Sequence, residues 1–292
     1  MKRLLALGGL IPCLMGLFPI PASAAMSEIT VAAVGDFQCE DEEYALNACP
    51  HVGVSDMIDS YSPSSLLALG DLVQWGTQDE FDNRYDPDFG HWETDAYPTV
   101  GNHEYIVSGA APYENYFGSR VDENGYFNYS FDLGEWHFVV INTNCAEVGC
   151  GSSSPQLNWV RDDLDNHLTG CTAVIAHHPI YASGSHNMSG MGTFFNALDN
   201  RNVDLYLNGH QANYERLAKI GNGGDLDSHG IRSFTVGTGG YPINAPSPNE
   251  YSKKIIGLTK GAMFLTLNDD YYGWRFRNVN GTTLDVGSDD CD

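Results

Sequence analysis

Seven polar side chains stand after short apolar runs of the sequence, and their types are those that bind metal ions. They are Asp36, Asp71, Asn102, His103, His177, His186 and His210. In open α/β sheets, sites form beyond the carboxyl ends of the strands, so residues that follow strands are expected to converge. Carboxylate, amide and imidazole groups together are ligands for metal ions of hard or borderline character. The pattern therefore predicts a metal site.

The apolar runs have the continuous aliphatic character of strands that are buried on both faces. Strands are predicted over Ile29–Val34, Leu66–Leu69, Pro98–Val100, Ala173–Ala176 and Val203–Leu207, with later strands over Ser233–Val236, Met263–Leu267 and Trp274–Val279. A hairpin is predicted from Phe127–Leu133 and His137–Ile141, with its turn at Gly134 and Glu135.

Helical patterns lie between some of these runs. Ser154 is a good N-cap and Pro155 suits the first helical position. Four leucine or valine residues then fall on one helical face: Leu157, Val160, Leu164 and Leu168. A second helix is predicted over Thr193–Asn200. Alternating strands and helices with some hairpins predict a layered α/β sandwich.

Composition narrows the class of protein. The 292 residues are 42% hydrophobic and 18% charged, which is typical of a folded chain. Lysine and arginine number 14 against 38 acidic residues, for a net charge of −24. This acidity argues against nucleic acid and anionic membranes as partners. It does not exclude a small phosphorylated substrate, because a bound metal reverses the local field.

Residues 1–25 have the pattern of a secretory signal peptide. Lys2 and Arg3 form the positive start, residues 4–20 are apolar, and small residues at 22–24 provide a cleavage site near Ala24. Prolines interrupt the apolar run, which argues against a membrane anchor. We therefore expect a secreted or periplasmic protein whose mature chain, residues 26–292, is one domain.

Six cysteines follow the cleavage site, an even number typical of disulfides in an exported chain. Cys39 with Cys49 and Cys145 with Cys150 are the pairs close in sequence. They would leave Cys171 to pair with Cys291. Zinc ligation is the alternative, although the chain has no C-x-x-C motif.

Five motifs carry a resemblance to a known family. They are GDFQ (35–38), GDLVQ (70–74), GNHE (101–104), VIAHHP (174–179) and NGHQANYER (208–216). In this order they resemble the calcineurin-like metallophosphoesterases, and among these the secreted purple-acid-phosphatase-like branch. The resemblance implies a four-layer α/β/β/α sandwich of two mixed sheets, with a pair of metal ions at the site.

The resemblance also implies roles for individual residues. Asp71 matches an aspartate that bridges the two metals, and the other ligands of the second metal match Asn102, His177 and His210. That metal is expected to be Zn, Mn or Fe. His103 matches a histidine that assists the leaving group, and His186 matches one that contacts the substrate, although an exposed histidine without a role is the alternative for His186.

The first metal site departs from the family pattern. Asp36 matches its carboxylate, but Gln38 and Gln74 stand where family members have a histidine and an iron-binding tyrosine. Ala212 replaces the final histidine and cannot ligate. Gln74 could offer a carbonyl oxygen. A harder ion such as Mg²⁺ or Ca²⁺ could bind there, the enzyme could work with one metal, or the site could bind without turnover.

The expected function is a secreted metal-dependent phosphoesterase that hydrolyses a small phosphomonoester or phosphodiester with metal-activated water. The alternative is an inactive relative that binds a phosphorylated or sugar-like ligand through one retained metal. His178 is interpreted as a structural neighbour of the site. Residues 214–216 are interpreted as bracing its last loop.

Overall fold

The structure is a computed structural model that describes residues 28–167 and 170–292. The predicted signal peptide and position Leu168 of the predicted helix lie outside the described residues. Within the described ranges, every helix is too short or too polar to cross a membrane.

The described residues form thirteen strands in two mixed sheets. The strands are β1 (Ile29–Val34), β2 (Ser65–Ala68), β3 (Ala96–Pro98), β4 (Tyr129–Leu133), β5 (Trp136–Val140), β6 (Thr172–Ile175), β7 (Leu205–Asn208), β8 (Tyr214–Ile220), β9 (Ile231–Val236), β10 (Ser252–Ile256), β11 (Gly261–Leu267), β12 (Tyr271–Asn278) and β13 (Thr283–Asp290). One sheet has the order β13-β12-β11-β1-β2-β3, and the other has the order β10-β8-β9-β7-β6-β5-β4. The site-bearing strands β1, β2 and β3 are parallel, as are β6 and β7.

Helices connect and cover these sheets. The α-helices are α1 (Asp41–Ala45), α2 (His51–Tyr61), α3 (Gln78–Glu80), α4 (Asp86–Phe89), α5 (Ala111–Phe117), α6 (Cys145–Val148), α7 (Pro155–Asn166) and α8 (Gly192–Asp199). A π-helical turn joins α3 to α4 at Phe81–Tyr85, and short 3₁₀ turns lie at Gly90–Trp92, Glu104–Ile106, Ser108–Ala110, Gly118–Val121, Ser189–Met191 and Asn222–Gly224.

Alternation along the strands divides the core into layers. In β6, Ala173 and Ile175 belong to the core that both sheets share, whereas Val174 packs with the residues of α7 and α8. Because successive strand residues point to opposite faces, β6 is buried on both sides. Helix α2 packs its apolar side chains on the first sheet. This arrangement confirms the predicted α/β sandwich of two mixed sheets.

Most predicted elements are found, some of them displaced by two residues. Helix α7 begins after Ser154, whose hydroxyl accepts the Leu157 N–H. The strand predicted over Pro98–Val100 lies at Ala96–Pro98, because those three residues pair with β2. The strand predicted over 203–207 begins at Leu205, since Asp204 precedes it as a side-chain acceptor for the Thr172 N–H.

All three predicted disulfides are present: Cys39–Cys49, Cys145–Cys150 and Cys171–Cys291. Cys171 lies just before β6, and Cys291 lies just after β13. These strands belong to different sheets, so the third disulfide ties the two sheets together.

Candidate metal centre

The site lies where the carboxyl ends of strands from both sheets meet. Each strand is followed within a few residues by a polar side chain: Asp36 after β1, Asp71 after β2, Asn102 and His103 after β3, His177 after β6 and His210 after β7. The first sheet contributes four of these residues, and the second contributes His177 and His210. The predicted convergence of Asp71, Asn102, His177 and His210 is therefore present in the structure.

Three of these residues have left-handed backbone conformations that are unfavourable for side chains other than glycine. The φ angles are 62° at Asp36, 52° at Asp71 and 63° at His210. Each such residue costs about 1–2 kcal/mol, and strain of this kind collects at functional sites. The sharp turns direct the side chains back over the ends of the strands.

Glycines in the same motifs allow the loops to approach each other. A Cβ atom on Gly70 would lie 2.5 Å from His177 Nδ1, and one on Gly101 would lie 2.1 Å from Asp71 Oδ1. Real Cβ atoms do not come this close to other heavy atoms. The Gly-Asp and Gly-Asn-His sequences therefore combine a functional side chain with the space that its neighbour needs.

Asp71, Asn102, His177 and His210 form a cluster, and His177 is its central side chain. Its Nδ1 lies 2.8 Å from the Leu69 carbonyl oxygen, which can only accept, so Nδ1 donates a proton there. The neutral ring then has a free lone pair on Nε2. Around Nε2 lie Asn102 Oδ1 at 3.1 Å, Asp71 Oδ2 at 3.2 Å and His210 Nδ1 at 3.2 Å.

These four atoms are candidate ligands for a metal ion beside His177 Nε2. A proton on His177 Nε2 could be donated to only one of its three neighbours, whereas a cation attracts all four. Ligands bound tetrahedrally at about 2.0–2.2 Å lie roughly 3.4 Å apart, and the three distances from His177 Nε2 are close to this value. One carboxylate, one amide oxygen and two imidazoles suit Zn, Mn or Fe.

Burial and charge set the protonation of the two ligand histidines. Burial alone would lower the pKa of His177, but the adjacent Asp71 carboxylate outweighs it and raises that pKa to about 9. Without a metal His177 is therefore protonated near pH 7, and a bound cation would replace its Nε2 proton. Burial, reinforced by His177, lowers the pKa of His210 to about 3. His210 is therefore neutral near pH 7, the form that binds metals.

A second group of ligands shares Asp71. Ligand atoms of Asp36, Asp71 and His177 all lie within 4.8 Å of one another. Burial raises the pKa of Asp36 to about 7. A nearby cation would lower that pKa and favour the ionised carboxylate. The Asp36 carboxylate is fixed by the backbone N–H of His210 at 2.8 Å.

Two glutamines lie where the family pattern has a histidine and a tyrosine. Gln38 donates its amide to Asp71 Oδ2 at 3.0 Å. In the described ranges, the side-chain oxygens of Gln38 and Gln74 are both buried without a hydrogen-bond donor. Unsatisfied buried oxygens of this kind call for an ion or water. Ala212 is buried and its methyl group offers no ligand atom.

His103 lies beside Asp71 without belonging to the group of four. Its backbone N–H donates to Asp71 Oδ1 at 2.9 Å, and its Nδ1 donates to the Gln74 carbonyl oxygen at 2.6 Å. Its Nε2 lies 3.8 Å from Asp71 Oδ2. The side chain is partly exposed, so Nε2 is available for proton transfer to a bound molecule.

His186 is brought near the cluster from a separate loop. Its ring centre lies 5.3 Å from that of His210, and the residue is exposed. The loop is held by Glu215, which accepts the N–H and the hydroxyl of Ser183 at 2.7 and 2.8 Å. Glu215 thus braces the His186 loop from strand β8.

Sequence reasoning assigned no role to Glu104, the last residue of the GNHE motif. Its carboxylate is fully buried and accepts the backbone N–H groups of Asp71, Leu72 and Gly101 at 3.0, 2.8 and 2.7 Å. It therefore joins the loops that follow β2 and β3. The sequence signal for this role was the acidic residue that ends the GNHE motif.

His178 lies closer to the cluster than the sequence interpretation placed it. Its ring centre is 4.2 Å from that of His210. Thr143 Oγ1 accepts the His178 backbone N–H at 2.9 Å and lies 2.8 Å from its Nδ1. Burial lowers the pKa of His178 to about 2, which keeps the ring neutral. The doubled histidine of the VIAHHP motif was the available signal.

A family model gives the most direct comparison with known proteins. The model described as calcineurin-like phosphoesterase matches residues 29–214, which include every residue of the site. The chain belongs to this family. Two curated acid phosphatases and several solved structures also match the chain.

Among curated relatives, an acid phosphatase of Aspergillus ficuum is 31% identical in an alignment 189 residues long, and the match covers 46% of this chain and 31% of that protein. Purple acid phosphatase 18 of Arabidopsis thaliana is 28% identical over 157 residues, or 49% of this chain and 35% of that protein. The chain thus spans about a third of the length of these relatives.

Among solved structures, purple acid phosphatase PPD1 from yellow lupin (Lupinus luteus) seeds has a TM-score of 0.75 at 20% identity, covering 90% of this chain and 53% of that one. A dimetal phosphatase from Danio rerio has a TM-score of 0.65 at 13% identity, covering 90% and 99%. At these identities the likeness shows the fold.

Proposed function

We propose that the protein is a metal-dependent phosphoesterase that hydrolyses a small phosphomonoester or phosphodiester. The observation that carries this proposal is the convergence of three ligand atoms on His177 Nε2 at 3.1–3.2 Å. The acid phosphatases among the relatives support the same reaction class. The net charge of −24 favours a small substrate over a nucleic acid.

Asp71, Asn102, His177 and His210 would hold a transition metal, with Asp71 also turned toward a second position. A metal bound there would polarise a phosphoryl oxygen and lower the pKa of a bound water. The residues themselves orient the reaction. His177 is fixed by Leu69, and Asp71 is fixed by the His103 N–H. The ligands are therefore ordered in advance of binding, as rate enhancement by positioning requires.

The first position would take a harder ion. Asp36, Asp71 and the unsatisfied side-chain oxygen of Gln74 are oxygen donors, the type that Mg²⁺ and Ca²⁺ prefer. No tyrosine stands at position 74, so an iron–phenolate colour is not expected.

His103 would protonate the leaving group, and His186 would contact the phosphoryl group. The backbone carbonyl oxygen of Gln74 accepts from His103 Nδ1, which leaves Nε2 as the atom that gives up a proton. General acid catalysis of this kind contributes about 10²–10⁴-fold to a rate.

We also propose that the protein is exported, with residues 26–292 as its single mature domain. Three disulfides support this, since such bonds persist in oxidising compartments.

A second candidate function follows from Ala212. A protein that lacks this ligand could retain one metal and bind a phosphorylated or sugar-like ligand without hydrolysing it. The fold is compatible with such roles: GAP50 of Plasmodium, described as an anchor in the inner membrane complex, has a TM-score of 0.68 to this chain at 16% identity.

Hydrolysis of 4-nitrophenyl phosphate in the presence of Mn²⁺, Zn²⁺ or Mg²⁺ separates the two functions. The phosphoesterase proposal expects turnover by the wild type, and faster turnover by the Ala212→His variant, which regains the family ligand. If both proteins are inactive with every metal, the binding function replaces the enzymatic one.

A further inference from the structure

We propose that the cavity beside Asn102 and His178 is a leaving-group pocket, which selects phosphate esters of bulky apolar alcohols, such as aryl alcohols, that carry no second negative charge. This inference rests on the proposed function, because the phosphoryl group must be anchored at the metal centre for its ester group to enter the cavity.

The cavity has the size and position that an ester group needs. Its volume is about 370 Å³, and its lining includes the candidate ligand Asn102 and His178, whose ring centre lies 4.2 Å from that of His210. Small-molecule sites start at about 300 Å³. A phosphoryl group bound beside Asn102 would therefore extend its ester oxygen toward a space large enough for one or two aromatic rings.

One wall is apolar and rigidly held. Tyr105 and Ile106 line it, in the 3₁₀ turn directly after His103. Tyr105 is held in place because its hydroxyl accepts the Asn142 amide at 2.8 Å. Ile106 is 53% exposed, so a bound apolar group would remove its side chain from water at a gain of about 25 cal/mol per Å².

A second part of the lining is made of small residues on a closed loop. Cys145 and Ala146 line it, and the Cys145–Cys150 disulfide closes the loop. The buried Asn144 donates to the carbonyl oxygens of Val100 and Gly101 at 3.2 and 3.4 Å. This wall is thus fixed to the loop that carries Asn102, and the pocket is formed before a ligand arrives.

The charge of the pocket determines which apolar groups are accepted. Glu147 is its one acidic lining residue, and it is exposed. Within a Debye length of about 10 Å, it would repel a carboxylate or second phosphate on the ester group. The net charge of the chain acts in the same direction.

Binding of non-hydrolysable phosphonates tests the pocket separately from turnover. Calorimetry on the metal-loaded protein would compare 2-naphthylphosphonate with methylphosphonate. The pocket predicts naphthyl affinity at least about 10-fold above methyl affinity. Ile106→Ala should weaken naphthyl binding about fivefold and leave methyl binding unchanged. Leu226→Ala is the matched control, since Leu226 is a similarly exposed aliphatic residue outside the cavity.

Two further variants test whether the ester group occupies the cavity and whether the charge of Glu147 selects among ester groups. Ala146→Trp places a large side chain in the cavity from an exposed position, and should weaken naphthyl but not methyl binding. Glu147→Gln should strengthen binding of 4-carboxyphenylphosphonate about 2–5-fold relative to phenylphosphonate.

The results distinguish this inference from the proposed function. Equal naphthyl and methyl affinities, or equal losses in Ile106→Ala and Leu226→Ala, would overturn the pocket even if the enzyme is active. Preferential naphthyl binding that depends on Ile106, without hydrolysis of any ester, would retain the pocket and overturn the enzymatic function.

Discussion

His210 and His103 are neighbours at the site but differ in what their side chains contact. His210 Nδ1 lies 3.2 Å from His177 Nε2, inside the group of four ligand atoms. His103 touches Asp71 through its backbone N–H and directs Nδ1 to the Gln74 carbonyl oxygen. The two histidines therefore separate metal binding from proton transfer, although both follow a strand in similar motifs.

The variants His210→Ala and His103→Ala should differ in metal content. His210→Ala removes one of four ligands and should lose both metal and activity. His103→Ala should keep the metal and lose about 10²–10⁴-fold in kcat, with a smaller loss for a nitrophenyl ester, whose leaving group needs no proton. His229→Ala, at an exposed histidine far along the chain, is the control. Metal loss in His103→Ala would contradict these assignments.

The turns after the strands are the elements that make the site, and the sequence predicted them better than it predicted the sheet edges. β1, β6 and β7 are continuous apolar runs, and their Gly-Asp, His-His and Gly-His endings were recognised. The strands β8, β10 and β13 were missed because their sequences mix charged and apolar residues. Edge strands such as β10 and β13 face water on more sides and need no apolar run. Glu104 and His178 were undervalued because buried polar roles depend on tertiary contacts.

Gly70→Ala should show how strictly the turns are constrained. Gly70 has φ 83° and faces His177, whereas Gly109 has φ 69° with nothing within 4 Å of a Cβ atom. Gly109→Ala should therefore lower the free energy of unfolding by only the roughly 1–2 kcal/mol that a left-handed backbone costs a residue other than glycine. Gly70→Ala should lose more free energy of unfolding in urea, and should also lose the metal. Equal losses in the two variants, with metal retained, would show that the turn tolerates displacement of His177.

Strand β5 and helix α7 are linked by a histidine between two carboxylates. His137 Nδ1 lies 2.7 Å from Asp132 Oδ1, and its Nε2 lies 2.8 Å from Asp163 Oδ2. Burial would lower the pKa of His137, but the hydrogen bonds to Asp163 and Asp132 outweigh it and raise that pKa. Since the folded-state pKa exceeds the unfolded value, the stabilisation is complete below about pH 6.5 and declines as pH rises through the folded-state value.

His137→Asn should therefore destabilise the protein more at pH 5.5 than at pH 9. The free energy of unfolding in urea, measured across this range for the wild type and the variant, checks the difference. His229→Asn, at an exposed position, should give a nearly constant difference. A loss in His137→Asn that is independent of pH would show that the imidazole is not charged between the carboxylates.

On the scale of the whole molecule, the site depends on how the two sheets are held against each other. Asp36, Asp71 and Asn102 come from the first sheet, and His177 and His210 come from the second. The shared apolar core and the Cys171–Cys291 disulfide are the connections. A shift of one sheet against the other by an ångström would separate the ligands.

Removing the disulfides one at a time should rank their contributions. The double change Cys171→Ala with Cys291→Ala opens a loop of 120 residues, whereas Cys145→Ala with Cys150→Ala opens one of 5. Removal of a native disulfide typically lowers the free energy of unfolding by roughly 2–5 kcal/mol. The loss should be larger for the first double change, because a disulfide that closes a longer loop restricts the unfolded chain more. Urea unfolding measures both, and a larger loss from the short loop would contradict the ranking.

The metal content of the wild-type protein tests the central claim most directly. Protein loaded with Mn²⁺ or Zn²⁺ and then dialysed would be measured by elemental analysis. Four convergent ligands at the second position and the missing ligand at Ala212 predict about one tightly held transition metal ion per chain, with any second ion lost on dialysis. Retention of no metal would contradict the site itself, and retention of two would contradict the account of its first position.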